Sequence, residues 1–302
     1  MGRYGVIDVG SNTIHLLVGK VREGRVLPVT GEKVSARLGA GVDKTGKLEE
    51  ERLALAAEAI KLFARISALN GVANPTILAT SAVRDAENGP ELAQRVSDYT
   101  GLQMRLISGE EEAELGFRGA VSAAGASWDG PALVVDLGGG SAQLIVGEAT
   151  TGPLMQVSLP LGTNRTTERF VNHDPAKKKE LQAIDKHVKN LVPGWGLAKR
   201  VPVVAVGGSA RAILRITQDH LTAERLRRLA KETSDYPSEV LARKYGLTPE
   251  RARVMPSAAT TLAAILYHFD REDLSVARGG VREGAILTLA DEANDESQNG
   301  KV

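Results

Sequence analysis

Apolar residues run through Gly5–Asp8, Thr13–Val21 and Arg25–Thr30 in short segments rich in Val, Ile and Leu, a pattern that predicts three consecutive strands. The same three-strand opening recurs at Ala132–Leu137, Gln143–Glu148 and Leu154–Leu159. With Asp8 set over Asp136, residues Val6, Gly10, Leu16, Val18 and Gly19 fall on Val134, Gly138, Leu144, Val146 and Gly147 without a gap. Each copy is an apolar strand ending in Asp, a glycine-containing turn and a second apolar strand, which makes a hairpin with backbone N–H groups at its tip. Two copies predict two related lobes.

The remaining pattern alternates helix and strand. Leu55, Ala59, Leu62, Ile66 and Leu69 recur at three- and four-residue steps, predicting a helix closed by Asn70-Gly71. A strand at Thr76–Ala79, a helix near Ala86–Thr100, a strand at Gln103–Ile107 and a helix from about Gly109 to Ser122 follow. Beyond the second opening, helices are expected at Thr163–Val171 and Pro175–Leu191, then a strand at Val201–Val206 and helices to Tyr245. A small-residue region from Pro249 to Phe269, with Ala258, Ala259, Ala263 and Ala264, suits close helix packing. This order predicts an α/β fold with sheets covered on both faces. The turn-rich stretch Ala123–Pro131 predicts a boundary between residues 1–122 and 123–302, and the polar tail from Asp291 is expected to fray.

A chain of 302 residues is long enough for two such cores. Lys plus Arg number 38 against 37 for Asp plus Glu, so a net charge of +1 offers no global attraction to nucleic acid or an anionic membrane. Any polyanion site must be local. The absence of Cys excludes disulfides and thiolate metal sites. With no leader pattern and no apolar run near the roughly 18 residues of a span, a soluble cytoplasmic protein is expected.

Candidate chemistry sits at the turns. Three glycines after the Asp-terminated strand in Val135–Ser141 cost entropy unless something approaches the backbone closely. Either an ordinary hairpin or a phosphate cradle fits one copy; two copies favour phosphate, with Asp8 and Asp136 holding a cation. Gly207, Gly208, Ser209 and Arg211 read as a third glycine turn opening a helix, or as a plain N-cap. Glu110, Glu111, Glu112 and Glu114 crowd a helix start, where complementing the dipole accounts for most of them and one can orient water. Thr80, Ser81 and Arg84 follow a strand end, a usual ligand position, though Arg84 alone also reads as a solvated residue. The five histidines show no ligand spacing; His15 reads as a satisfied strand histidine, and His173-Asp174 as no metal motif.

Taken together, eight stretches in order make the chain similar to the exopolyphosphatase and guanosine pentaphosphate phosphohydrolase family, within the actin-like, sugar-kinase and heat-shock ATPase superfamily. They are GVIDVGSNTIHLLVG, RLGAGVDKTGKL, ATSAVRDAENG, ISGEEEAELGF, VVDLGGGSAQLIVG, SLPLGTNRTTERF, AVGGSARAI and GGVREGAIL. The resemblance implies two ribonuclease H-like lobes, a cleft active site and Mg²⁺-dependent release of terminal phosphate from inorganic polyphosphate, with Mn²⁺ an alternative ion. It implies Glu112 as the catalytic carboxylate, and Asp8, Ser11, Asn12, Arg84, Asp136, Gly138, Gly139, Gly140 and Ser141 as phosphate and metal residues. Lys33, Arg37 and Arg211 become candidates for a polyanion track, and a homodimer is expected.

One position departs from the pattern. Where the family carries Glu after the glycines and Thr, this chain has Ala142 and Gln143, and Gln can orient water but cannot take its proton or add charge to a cation. Guanosine pentaphosphate is the alternative substrate. An actin-like ATPase or sugar kinase, and a weakly catalytic sensor, are the readings from other classes.

Overall fold

The computed structural model describes residues 2–124, 130–198 and 201–299, so most of the stretch expected to join the lobes lies outside the described residues. The first lobe runs β1 (Arg3–Val9), β2 (Ile14–Arg22), β3 (Arg25–Val34), α1 (Val42–Thr45), α2 (Glu50–Leu69), β4 (Thr76–Ala79), α3 (Ser81–Asp85), α4 (Gly89–Thr100), β5 (Met104–Leu106) and α5 (Gly109–Ala124). The second runs β6 (Ala132–Leu137), β7 (Ala142–Glu148), β8 (Gly152–Leu159), α6 (Thr163–Phe170), α7 (Lys178–Leu191), β9 (Val203–Val206), α8 (Gly208–Thr217), β10 (Leu221–Thr222), α9 (Ala223–Ser234), α10 (Ser238–Tyr245), α11 (Pro249–Arg253), α12 (Met255–His268) and β11 (Asp273–Val276). The closing helix is α13 (Val281–Asn299).

The duplication in the sequence is a duplication of topology. One sheet has the order β3-β2-β1-β4-β5 and the other β10-β11-β9-β6-β7-β8. In each, an antiparallel three-strand meander is extended on its first strand by two parallel strands, β1 pairing with β4 as β6 pairs with β9, and the second sheet adds the short β10 antiparallel at its edge. The central parallel strands are buried on both faces, hence their continuous apolar runs TILA and VVAV. The two sheets are the ribonuclease H-like lobes of the actin-like architecture.

Three local readings are corrected. The helix at Glu50–Leu69 exists, but Leu55, Leu62 and Leu69 lie on its exposed side; it packs on the sheet through Leu53, Ala56, Ala57, Ile60 and Phe63. Small alanines bring a helix axis closer to a sheet than leucines do, and both faces of this helix are apolar enough to satisfy the periodicity. The helix expected near Ala86–Thr100 starts at Gly89 and is preceded by a separate short helix, α3, that the sequence pattern did not show; the two meet tightly, since a Cβ on Gly89 would lie 2.3 Å from the Val83 carbonyl oxygen. The polar tail from Asp291 is helical to Asn299, with Asp291 ion-paired to Arg118.

Helices α5 and α13 form the layer between the lobes. One side of this layer, Leu115 with Ala285 and Ile286, packs on Val6, Leu17 and Leu78 of the first sheet. Ala113, Phe117 and Ala120 of α5 pack on Val134, Ile145 and Val206 of the second. The small-residue helix α12 is buried in the second lobe's core, as its composition predicts. No helix among the described residues is long and apolar enough to cross a membrane.

Candidate active site

A cleft of about 740 Å³ opens between the sheets, and both hairpin tips line it. The two turns close alike: the Gly10 N–H donates to the Thr13 carbonyl at 3.3 Å, and the Gly138 N–H to the Ser141 carbonyl at 3.0 Å. The turns also touch across the cleft. A Cβ on Gly140 would stand 2.3 Å from Ser81 Oγ and 2.4 Å from Ser11 Oγ, which explains glycine there. Ser11 and Ser81 share a hydrogen bond of 2.9 Å, and Asn164 Nδ2 donates to Asn12 Oδ1 at 3.1 Å. Helix α6 fastens the lobes further: Arg165 pairs with Asp43 and Asp85 of the first, and Glu168 Oε2 accepts the Gly41 N–H at 3.0 Å.

Asp8 and Asp136 stand near the carboxyl ends of β1 and β6 and both line this cleft, which is where open α/β sheets bind ligands. Gly116 of α5 makes room for the second carboxylate, since a Cβ there would lie 3.3 Å from Asp136 Oδ2. Burial pushes Asp8 up to about 6, opposed by Arg282 and assisted by Asp136 and Glu283. Burial likewise pushes Asp136 up to about 6, against the pull of Arg211. Paired carboxylates short of counter-charge are a hard-oxygen donor set. Such a pair fits Mg²⁺, which is commonly held by one or two carboxylates with waters and substrate phosphate completing the shell.

Glu112 sits in the first turn of α5, 8% exposed. Burial, followed by the Asp136 and Asp8 charges, pushes it up to about 8, while Arg84 pulls the other way. Arg84 stands behind it: its Nη1 donates to the Ile107 carbonyl at 2.8 Å and lies 3.5 Å from Glu112 Oε2. A carboxyl poised near neutrality in a cleft lined by cations and glycine turns is suited to accept a proton from water.

Helices α6, α8 and α13 all begin at this cleft, through Thr163, Gly208 and Val281, and Ser209 and Arg211 line it with them. Helix N-termini with glycine approaches favour anions. Of the expected residues, the cleft gathers Asp8, Ser11, Asn12, Lys33, Glu112, Asp136, Gly138, Gly139, Gly140, Ser141, Gln143, Gly207, Gly208, Ser209 and Arg211. Arg84 and Arg37 are not among the lining residues; Arg84 is spent on Glu112, and Arg37 is an exposed residue at φ 50 whose carbonyl accepts from Arg52. Sequence reasoning missed Arg215, Arg251, Arg278, Arg282 and Glu283. The last arginine and the glutamate lie within GGVREGAIL, where the neighbouring glycines were the available signal. His15, read as a satisfied strand histidine, instead lines the cleft beside these cations. Burial, then Arg282, Arg211, Lys33 and Arg251, push its imidazole down to about 3, so it is neutral.

Gln143 is buried and donates from Nε2 to Ser141 Oγ and Ser158 Oγ, both at 2.9 Å. It therefore braces the glycine turn.

The three raised carboxyls have a consequence for stability. Each binds its proton more tightly in the folded chain than at its ordinary 3.8 or 4.5, so the stability it confers is complete below about pH 4 and drains as pH rises through 6 and 8. Without divalent cation, the thermal midpoint is expected to fall between pH 5 and pH 8, and Mg²⁺ at pH 8 to raise it again. A midpoint flat across that range in thermal melts, with or without Mg²⁺, would contradict the electrostatics described.

Two paired ribonuclease H-like lobes with glycine turns facing a carboxylate-lined, arginine-walled cleft define a phosphate-handling protein. The Ppx/GppA phosphatase family profile matches residues 17–293, and the chain belongs to this family. It is 31% identical over 311 residues to exopolyphosphatase 1 of Mycobacterium bovis, covering 97% of this chain and 90% of that protein. It is 30% identical over 305 residues to a guanosine-5'-triphosphate,3'-diphosphate pyrophosphatase of Vibrio parahaemolyticus, covering 96% of this chain but 59% of that longer protein. Among solved structures, an exopolyphosphatase from Cytophaga hutchinsonii superposes with a TM-score of 0.86 at 25% identity, covering 96% of this chain and 98% of that one.

Proposed function

We propose that the chain is an exopolyphosphatase that hydrolyses the terminal phosphate of inorganic polyphosphate. The observation that carries this reading is the convergence of Glu112, Asp8 and Asp136 on one cleft whose remaining wall is arginine-rich. Backbone N–H groups of the Gly138–Ser141 and Ser11–Asn12 turns hold the terminal phosphate, and the α8 N-terminus with Arg211 holds the next part of the chain. Glu112 aims a water at the phosphorus; as the new P–O bond forms, its carboxylate takes the water's proton and the bridging P–O bond breaks, releasing the shortened chain. Asp8 and Asp136 would hold Mg²⁺ or Mn²⁺, which offsets charge on the bridging oxygen. Arg84 keeps Glu112 in place.

Guanosine pentaphosphate is the second reading. Among the described residues, no Phe, Tyr or Trp lines the cleft to stack a guanine ring, whereas Lys33 and the arginines suit a featureless polyanion. Phosphate release from short polyphosphate, long polyphosphate and guanosine pentaphosphate, each with Mg²⁺ and Mn²⁺, tests the assignment; faster release from the nucleotide, or ATP-dependent transfer to a sugar, would overturn it. The family resemblance supports a cytoplasmic homodimer, its mass to be read by light scattering as about twice the 32.0 kDa chain.

Gln143 supports a hydrolase working with one carboxylate fewer than its family pattern. Gln143→Glu adds a ligand charge beside Asp136, its partner across β6 and β7, and is expected to raise the Mg²⁺-supported rate several-fold. An unchanged or lower rate would count against a role for this position in catalysis.

A further inference from the structure

The paired hairpins carry equivalent rows of side chains across their sheets. In the first lobe Asp8 faces His15, and His15 faces Lys33; in the second Asp136 faces Gln143, and Gln143 faces Ser158. Residues directly opposite on antiparallel strands share a face, with strands about 4.8 Å apart. Each row is therefore a ladder starting at the carboxylate and running outward. His15 and Gln143 are the same rung, as the sequence repeat also has them.

The rows have diverged. The second is closed: Gln143 is 1% exposed and spends its amide on Ser141 and Ser158. The first is open: His15 is half-buried, Lys33 is exposed, both line the cleft, and among the described residues neither side chain has a hydrogen-bond partner. Arg282, Arg211 and Arg251 come close enough from elsewhere in the cleft to act on His15. The open row thus ends at Lys33 on its own sheet and is faced by arginines beyond it, over two strand spacings that total about 10 Å.

We propose that the Asp8–His15–Lys33 row is the track of the departing polyphosphate chain, and that His15 is a specificity-determining residue that hydrogen-bonds phosphates behind the bond being cleaved. This rests on the exopolyphosphatase reading. An imidazole N–H at this rung can donate to a phosphate oxygen of a chain lying along the row, with the arginines beyond the row acting on its other side. The closed row has no such room and serves to brace the glycine turn.

Triphosphate and long polyphosphate distinguish this role from a structural one. With long chains, His15→Ala is expected to raise KM about 10-fold with kcat within about twofold, the loss of one hydrogen bond to a charged group. Triphosphate has two phosphates behind the cleaved bond and reaches His15, one strand from Asp8, but not Lys33, so it should share the His15→Ala rise, whereas Lys33→Ala should raise KM for long chains alone. His15→Gln, which keeps a donor, should recover most of the long-chain KM, and thermal midpoints report folding for each variant. Binding of long polyphosphate to Glu112→Gln protein, with and without His15→Ala, reads the same contact without turnover. An unchanged long-chain KM and affinity in His15→Ala, or a loss in Lys33→Ala that is equal for both substrates, would overturn the proposal. If the unsubstituted protein releases no phosphate but His15→Ala still weakens polyphosphate binding, only the hydrolase reading falls.

Discussion

Glu112→Gln is expected to lower phosphate release by about 10²–10⁴-fold, the usual contribution of a positioned general base. The substitution is nearly isosteric and keeps an oxygen for Arg84, which also donates to the Ile107 carbonyl, so the start of α5 should hold its place. Polyphosphate affinity should be equal or higher, because a carboxylate that repels the substrate at high pH is gone. In the unsubstituted enzyme the base works deprotonated, so the rate should rise with pH along a limb set by Glu112, at about 8 without bound cation and lower with positive charge nearby. That limb should vanish from the residual rate of the variant. A rate within threefold of the unsubstituted enzyme would remove Glu112 from the chemistry.

The parts of the site legible in the sequence are those where backbone approaches ligand or backbone. Gly138–Gly140 stand out because glycine is costly in a hairpin unless something comes close, and the Cβ that Gly140 lacks would collide with both Ser11 and Ser81. The hairpin repeat was legible because strand alternation and tight turns are local rules, and it foresaw two sheets with matching order. The cationic wall was not legible. Arg251 lies in a five-residue helix and donates to Ser209, and Arg215 is in the last turn of α8; in the chain each reads as a solvated helix residue. Only the tertiary fold brings them to one cleft.

The same limit explains His15 and α2. Strand alternation puts His15 on one face with Asp8, but whether that face meets core or cleft depends on the opposite lobe. For α2, periodicity identifies a helix with two apolar faces, and the choice between Leu55, Leu62, Leu69 and the alanine-rich side is made by how closely the sheet admits it. Helix α13 carries apolar residues that name no partner; Ala285 and Ile286 go to Val6 and Leu17 of the first sheet, far away in the chain.

That docking supplies the second large effect. Gly284→Ala is expected to destabilise the protein although alanine is the better helix former by about 1 kcal/mol. The added Cβ would lie 1.9 Å from the Leu115 carbonyl oxygen and 2.7 Å from its carbon, and neither atom can rotate away as a side-chain tip would. The contact is one of three along the same crossing, where a Cβ on Gly119 would meet the Gly280 oxygen at 2.0 Å and one on Gly279 the Gly119 oxygen at 1.8 Å. Overpacking of this kind costs about 1–3 kcal/mol and more where backbone must move, as here, so the clash outweighs the propensity gain and the net loss in urea or thermal unfolding should be about 1–2 kcal/mol. Activity should fall further than stability requires. Leu115 is one turn beyond Glu112 on α5, and Gly284 directly follows Arg282 and Glu283 on α13, so parting the helices shifts the base and the cations against each other, and a displacement of about 1 Å can cost 10²-fold. A Gly284→Ala protein as stable and active as the parent would mean that α5 and α13 are not held by this glycine contact, and that the layer between the lobes does not set the geometry of the cleft.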